Sequence, residues 1–129
     1  MGKFYKNDGC SKDVIEKIET ELGRHFPLSY KSFLNQSNGG EYIEKYPNNK
    51  YILLFCCEDI VQYNKDYCVQ KYLSKDIVAF ASGDNGFFFD YRKQGEPKIV
   101  SCSFGDLDVS ELKLEAIAFE EFVKGWLCS

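Results

Sequence analysis

The stretch Phe26-Pro27-Leu28-Ser29-Tyr30-Lys31-Ser32-Phe33-Leu34-Asn35-Gln36-Ser37-Asn38-Gly39-Gly40-Glu41 constrains this chain more than any other, because it carries both a start and a stop for one short helix. Pro27 has a fixed φ and no N–H to lose, so it suits a first helical turn. Tyr30, Phe33 and Leu34 recur at i, i+3 and i+4 and make one apolar face. Asn38-Gly39-Gly40 ends the helix, since glycine takes the left-handed conformation that a helix C-terminus often needs.

The residues before this stretch read as helix and most of those after it as sheet. Residues 1–10 are polar and expected to be mobile. Asp13 followed by Glu16 fits a capping box. Val14, Ile15, Ile18 and Leu22 form an apolar face, Glu16, Lys17, Glu19 and Glu21 a solvated one, and Gly23 ends the helix. After the glycines, 41–46 reads as a short strand and Pro47-Asn48-Asn49-Lys50 as a turn. Tyr51-Ile52-Leu53-Leu54-Phe55-Cys56 is a continuous apolar run, which predicts a strand buried on both sides. Cys57-Glu58-Asp59 opens a helix to about Tyr67, with Ile60, Val61, Asn64 and Tyr67 inward.

A meander follows. Ile77–Ala81 is a strand, Ser82-Gly83-Asp84-Asn85-Gly86 a hairpin turn with a strong Asn-Gly signal, and Phe87–Tyr91 the returning strand. Residues 92–97 turn again, 99–104 form a third strand and 105–110 a loop. Phe119, Phe122, Val123, Trp126 and Leu127 then fall at i, i+3, i+4, i+7 and i+8, a helical stripe. The expected fold is α+β, one domain over residues 1–129. A mostly antiparallel sheet from residues 42–104 is covered by two N-terminal helices and a C-terminal helix.

Charge narrows the function classes. The net charge is −4, which disfavours a nucleic-acid partner because phosphate binding needs a basic field. Between Phe104 and Glu121, six acids (Asp106, Asp108, Glu111, Glu115, Glu120, Glu121) face only Lys113. Such a surface suits steering of a basic protein. Eleven Phe and nine Tyr predict an aromatic core with some tyrosines left for a binding face. No apolar run reaches the roughly 20 residues of a membrane helix.

Catalytic sets are hard to assemble. There is one histidine, His25, so any nucleophile–base pair must use it. The six cysteines, at 10, 56, 57, 68, 102 and 128, contain no Cys-x-x-Cys pair, so the sequence offers no metal site. They read as reduced thiols of a cytoplasmic chain. Asp106-x-Asp108-x-Ser110 starts like a calcium loop but has Glu111 where glycine is needed and Ile117 where glutamate is needed. No cofactor motif is present. The residues favour a binding module over an enzyme.

Leu22-Gly23, Phe26-Pro27, Tyr30-Lys31, Phe33-Leu34 and Asn38-Gly39-Gly40, in this order, resemble the N-terminal signature of the SUKH superfamily. The Gly83-Asp84-Asn85-Gly86 hairpin, its aromatic strand ending in Asp90 and the closing run Ile117–Phe122 are similar to later parts of that domain. The resemblance spans residues 13–127. It implies an immunity protein that binds and neutralises a cognate toxin, often a nuclease and so commonly basic. The alternative it implies is a non-catalytic interaction module like the yeast Smi/Knr-type cell-wall and signalling regulators. Exposure and charge select Glu41, Asp84, Asn85, Asp106 and Asp108 as partner-binding residues.

Overall fold

Seven strands run as one antiparallel meander in the computed structural model, which describes residues 2–127. They are β1 (Lys3–Lys6), β2 (Gly40–Glu44), β3 (Lys50–Leu54), β4 (Ile77–Ser82), β5 (Gly86–Asp90), β6 (Lys98–Cys102) and β7 (Lys113–Ala116), each beside its sequence neighbour. The helices are α1 (Lys12–Leu22), α2 (Leu28–Gln36), α3 (Ile60–Asp66), α4 (Val69–Tyr72) and α5 (Phe119–Phe122), the last continuing as a π-helical turn to Leu127. The α+β class is the one that the sequence leads one to expect.

The sheet is wider than expected at both edges. Lys3–Lys6, in the segment expected to be mobile, pairs with β2 from Lys3–Ile43 to Lys6–Gly40. Phe4 is the reason: its ring meets Phe33 of α2 edge-on at 5.6 Å. β7 lies in a charge-rich stretch whose single buried residue, Ala116, gives a weak strand pattern.

The local chemistry also differs in detail. Ser11, rather than an Asp13–Glu16 box, caps α1, its Oγ accepting from the Val14 N–H at 3.3 Å. Glu19, expected on the solvated side, is buried: it accepts the Phe26 N–H at 2.7 Å and lies 3.5 Å from Lys31 Nζ. Gly23 ends α1 with φ 68° as the left-handed cap. Gly39 and Gly40 have φ 74° and 137°, but they act one step later than a cap. A Cβ on Gly39 would strike the Leu54 and Phe55 carbonyls, and one on Gly40 the Phe4 ring and the Tyr5 carbonyl. Their bareness lets β1 and β3 close on β2.

Strand alternation sorts the sheet into two faces. Phe87 and Phe89 point to one face, where Tyr30 of α2 meets Phe89 at 4.9 Å, Phe119 at 5.0 Å and Phe80 at 5.7 Å. Phe122 meets Phe87 at 5.2 Å and Phe80 at 5.5 Å. Thus α2 and α5 cover this face together. Trp126 stays at its rim, 5.2 Å from Phe87 with the Lys50 ammonium 4.6 Å over its ring. The π-helical turn carries Leu127 inside instead. β3 is less enclosed than its apolar run suggests. Ile52 and Leu54 are buried, Leu53 is half-buried and Tyr51 is exposed.

The sheet splits between β3 and β4. Only Leu53–Ser82 and Leu54–Ala81 pair there, with the Phe55 N–H donating to Phe80 O at 3.0 Å. Beyond that point Asn64 of α3 takes the place of a strand. Its Nδ2 donates to Ala79 O at 3.0 Å and Ile60 O at 2.8 Å, and its Oδ1 accepts the Ala79 N–H at 2.8 Å. Gln70 continues the edge by donating to Ile77 O at 2.7 Å. This buried amide fixes α3 against the sheet.

Asn64→Leu keeps the volume but leaves the buried Ala79 N–H and C=O unpaired, so it should cost about 3 kcal/mol in urea unfolding; a loss below about 1 kcal/mol would remove Asn64 from this role. Tyr30 presents the opposite case, because its hydroxyl is buried with no hydrogen-bond partner among the described residues. Tyr30→Phe should therefore leave stability unchanged or raise it by up to about 1 kcal/mol in the same assay.

Candidate protein-binding face

The second face of the sheet is only partly covered. Register places Tyr5, Glu41, Leu53, Ser82, Gly86 and Cys102 in one row across β1 to β6 on that face. Phe88 shares it and is buried beneath Phe104, at 5.4 Å. Gly86 is bare for this reason: a Cβ there would sit 2.6 Å from the Phe104 ring. Phe104 in turn stacks on Tyr67 at 4.2 Å, and Phe55 stacks on Tyr63 at 3.9 Å. The four rings form an aromatic ladder between α3 and the turn after β6. Tyr67 remains 40% exposed and neighbouring Tyr51 43%.

Acidic residues surround the ladder. Asn85 and Asp106 line one depression of about 270 Å³ with Ser101, Cys102, Ser103, Glu111 and Lys113. Asp108 stands on the same end, capping a 3-10 turn through Ser110: its Oδ1 accepts the Ser110 N–H at 2.9 Å and the Ser110 Oγ–H at 2.8 Å. These bonds hold the Asp108 carboxyl below its ordinary pKa, so its charge persists. Asp84 is the exposed neighbour of Asn85 in the hairpin turn. Glu41 lies farther along. It accepts from the Tyr51 hydroxyl at 2.7 Å, and the Tyr51 carbonyl lies against Gly83 of that turn. Asn85 and Asp106 are thus brought together directly, while Asp84, Asp108 and Glu41 extend the same rim. Asp59 and Asp66, which the sequence reading did not single out, line a depression beside Tyr63. Their signal was the spacing of Asp59, Tyr63, Asp66 and Tyr67, which runs from the 3-10 turn before α3 to its C-cap.

Three of the thiols are buried in the fold, those of Cys10, Cys57 and Cys102. Burial pushes the Cys57 thiol up to about 12, with Cys10 beside it adding to the rise, and burial raises Cys10 and Cys102 as well. Such thiols are poor nucleophiles. His25 lines a depression of about 630 Å³ with Arg24, Tyr91, Glu96 and Glu120. Its side chain is 95% exposed and its Nδ1 lies 3.8 Å from Glu19, whose carboxylate already accepts the Phe26 N–H. No hydrogen bond links the ring to a hydroxyl or thiol among the described residues. No group of three or more His, Cys, Asp or Glu among them is placed to hold a metal. No helix among them is long and apolar enough to cross a membrane.

The model of the SMI1/KNR4 family (SUKH-1) matches residues 9–125. The chain belongs to that family. The match begins just after β1 and runs into the π-helical turn, so it takes in the ladder and every residue of the rim. No curated protein matches the chain significantly. Within this SUKH-1 domain the glycines of Asn38-Gly39-Gly40 shape β2, and Gly86 of the hairpin seats Phe104.

The Glu41 charge raises the Tyr51 phenol above its ordinary pKa, chiefly through their hydrogen bond. A phenol raised on folding contributes stability below its unfolded pKa and loses it as pH rises through the folded one. Glu41→Gln should therefore lower the Tyr51 pKa toward the free-tyrosine value, read from its ring carbon shift in a pH titration. An unmoved titration would show that the pair does not persist in solution.

Proposed function

We propose that this SUKH-1 domain is an immunity protein that binds a cognate basic toxin, of nuclease type, through the acidic rim around the aromatic ladder. The observation that carries this reading is the position of the acids. Glu41, Asp84 and the pair Asp106 and Asp108, from three separate segments, border one partly open sheet face on which tyrosines are also exposed. Charge complementarity of this kind speeds encounter and fixes orientation, and half-exposed tyrosines supply apolar contact at low entropic cost. A nuclease carries a basic surface to approach phosphates, so an acidic cover can occupy the same ground. The role needs binding and no chemistry from this chain, which accords with the burial of Cys10, Cys57 and Cys102 and with a single, exposed histidine. Cytoplasmic residence belongs to the same proposal.

The test is a pull-down from the source cells at low and high salt, with the wild-type chain and with Asp106→Lys/Asp108→Lys. A basic protein should be retained by the wild type at low salt and released by the double variant. Expressed alone it should arrest growth, and the wild-type chain should restore it. With purified partner, the double reversal should slow association at least about tenfold at low salt. Unchanged association would remove these residues from the interface. A retained partner that is harmless when expressed alone would favour an interaction module of the Smi/Knr kind.

A further inference from the structure

The two stacked pairs of the ladder do not close on each other. Phe55–Tyr63 and Tyr67–Phe104 stack at 3.9 and 4.2 Å, but Tyr63 and Tyr67 are 6.4 Å apart, with their ring planes within 7° of parallel. Tyr63 lies on α3 and Tyr67 is its C-cap, four residues on and bonded back to the Tyr63 carbonyl at 3.1 Å, so both lie on one side of the helix. A flat group held between two rings at van der Waals contact needs about 7 Å. The two rings must therefore part by at least about 0.6 Å to admit it. Tyr67 is 40% exposed, whereas Phe104 is seated on Phe88 and Gly86, so the widening falls to the Tyr67 ring, 4.2 Å from Phe104.

The surroundings select the group. Asp59, Gln62, Tyr63 and Asp66 line a depression of about 340 Å³ beside the step. Gln62 Nε2 donates to Asp66 Oδ1 at 2.7 Å, which turns that carboxylate toward the helix surface and leaves its second oxygen for a donor. Parallel π-faces with adjacent carboxylates fit a planar cation that carries in-plane N–H donors. Among side chains that is arginine: its guanidinium stacks on aromatic rings and bonds carboxylates in the same plane, whereas the lysine ammonium is a compact, strongly hydrated point charge.

We infer that the Tyr63–Tyr67 step is a slot for an arginine side chain of a protein partner, with Asp66 and Asp59 receiving its N–H groups. This rests on the reading of this face as protein-binding and adds the chemistry of the anchor. The acidic flank repels the carboxylate of free arginine, so the fitting source is an arginine within a chain.

The test needs no toxin, so its outcome is separate from that of the pull-down. Isotope-labelled full chain is titrated with acetyl-Gly-Arg-Gly-amide, with matched Lys and Gln peptides, and with free arginine. The Arg peptide should shift the Tyr63 and Tyr67 ring signals and bind about threefold or more tighter than the Lys peptide. The Gln peptide should leave both rings unmoved, and free arginine should bind more weakly than the blocked peptide. Tyr67→Leu and Asp66→Asn, each with an otherwise unchanged amide spectrum, should weaken the Arg peptide by a similar factor. Equal response to Arg and Lys, or an arginine response that survives Tyr67→Leu, overturns the slot. Tighter binding of free arginine than of the blocked peptide overturns the protein source.

Discussion

Everything on the covered side of the sheet depends on the contact of Tyr30 with four rings. It touches Phe26 and Phe89 at 5.0 and 4.9 Å, Phe119 at 5.0 Å and Phe80 at 5.7 Å. Those rings come from the approach to α2, the central strands and the closing helix, so one side chain holds the two ends of the chain to the middle. Edge-on packing of this kind fixes orientation as well as burying area. The bare glycines at 39 and 40 allow it, because the chain after α2 must pass close to two strands at once.

The other face has the reverse character. Its central part is covered by side chains from a short helix and a turn, and its edges are open to solvent. The elements that cover it are joined to the sheet by an amide and by stacked rings. A face made this way presents tyrosines without exposing the core. Its acids lie on the rim, where their charge costs little desolvation.

Much of this was legible in the sequence wherever one signal acted alone. The Pro27 start, the apolar face of α2, the Asn85-Gly86 hairpin and the three strands of the central meander each follow from local stereochemistry. The failures share a different cause. Lys3–Lys6 is a strand because of Phe33 and Gly40, some thirty residues on. Glu19 is inside because the Phe26 N–H needs an acceptor. Asn64 faces inward like its apolar neighbours, yet its value lies in the strand bond it replaces. The acidic residues of the rim could be chosen by charge. That Glu41 joins Asp106 on one face depends on strand register, and the ladder depends on four rings from three separate segments.

The strand order has a consequence for how the chain assembles. Each of the seven strands lies beside its sequence neighbour, with α1 and α2 between β1 and β2 and α3 and α4 between β3 and β4. Neighbouring pairs such as β4–β5 and β5–β6 close over short loops, at small entropic cost. The Tyr30–Phe119 contact spans most of the chain and can form only after residue 119 has been made. During synthesis the meander is therefore available before its cover is complete, and the closing aromatic turn acts as the latch that converts a set of hairpins into a protein.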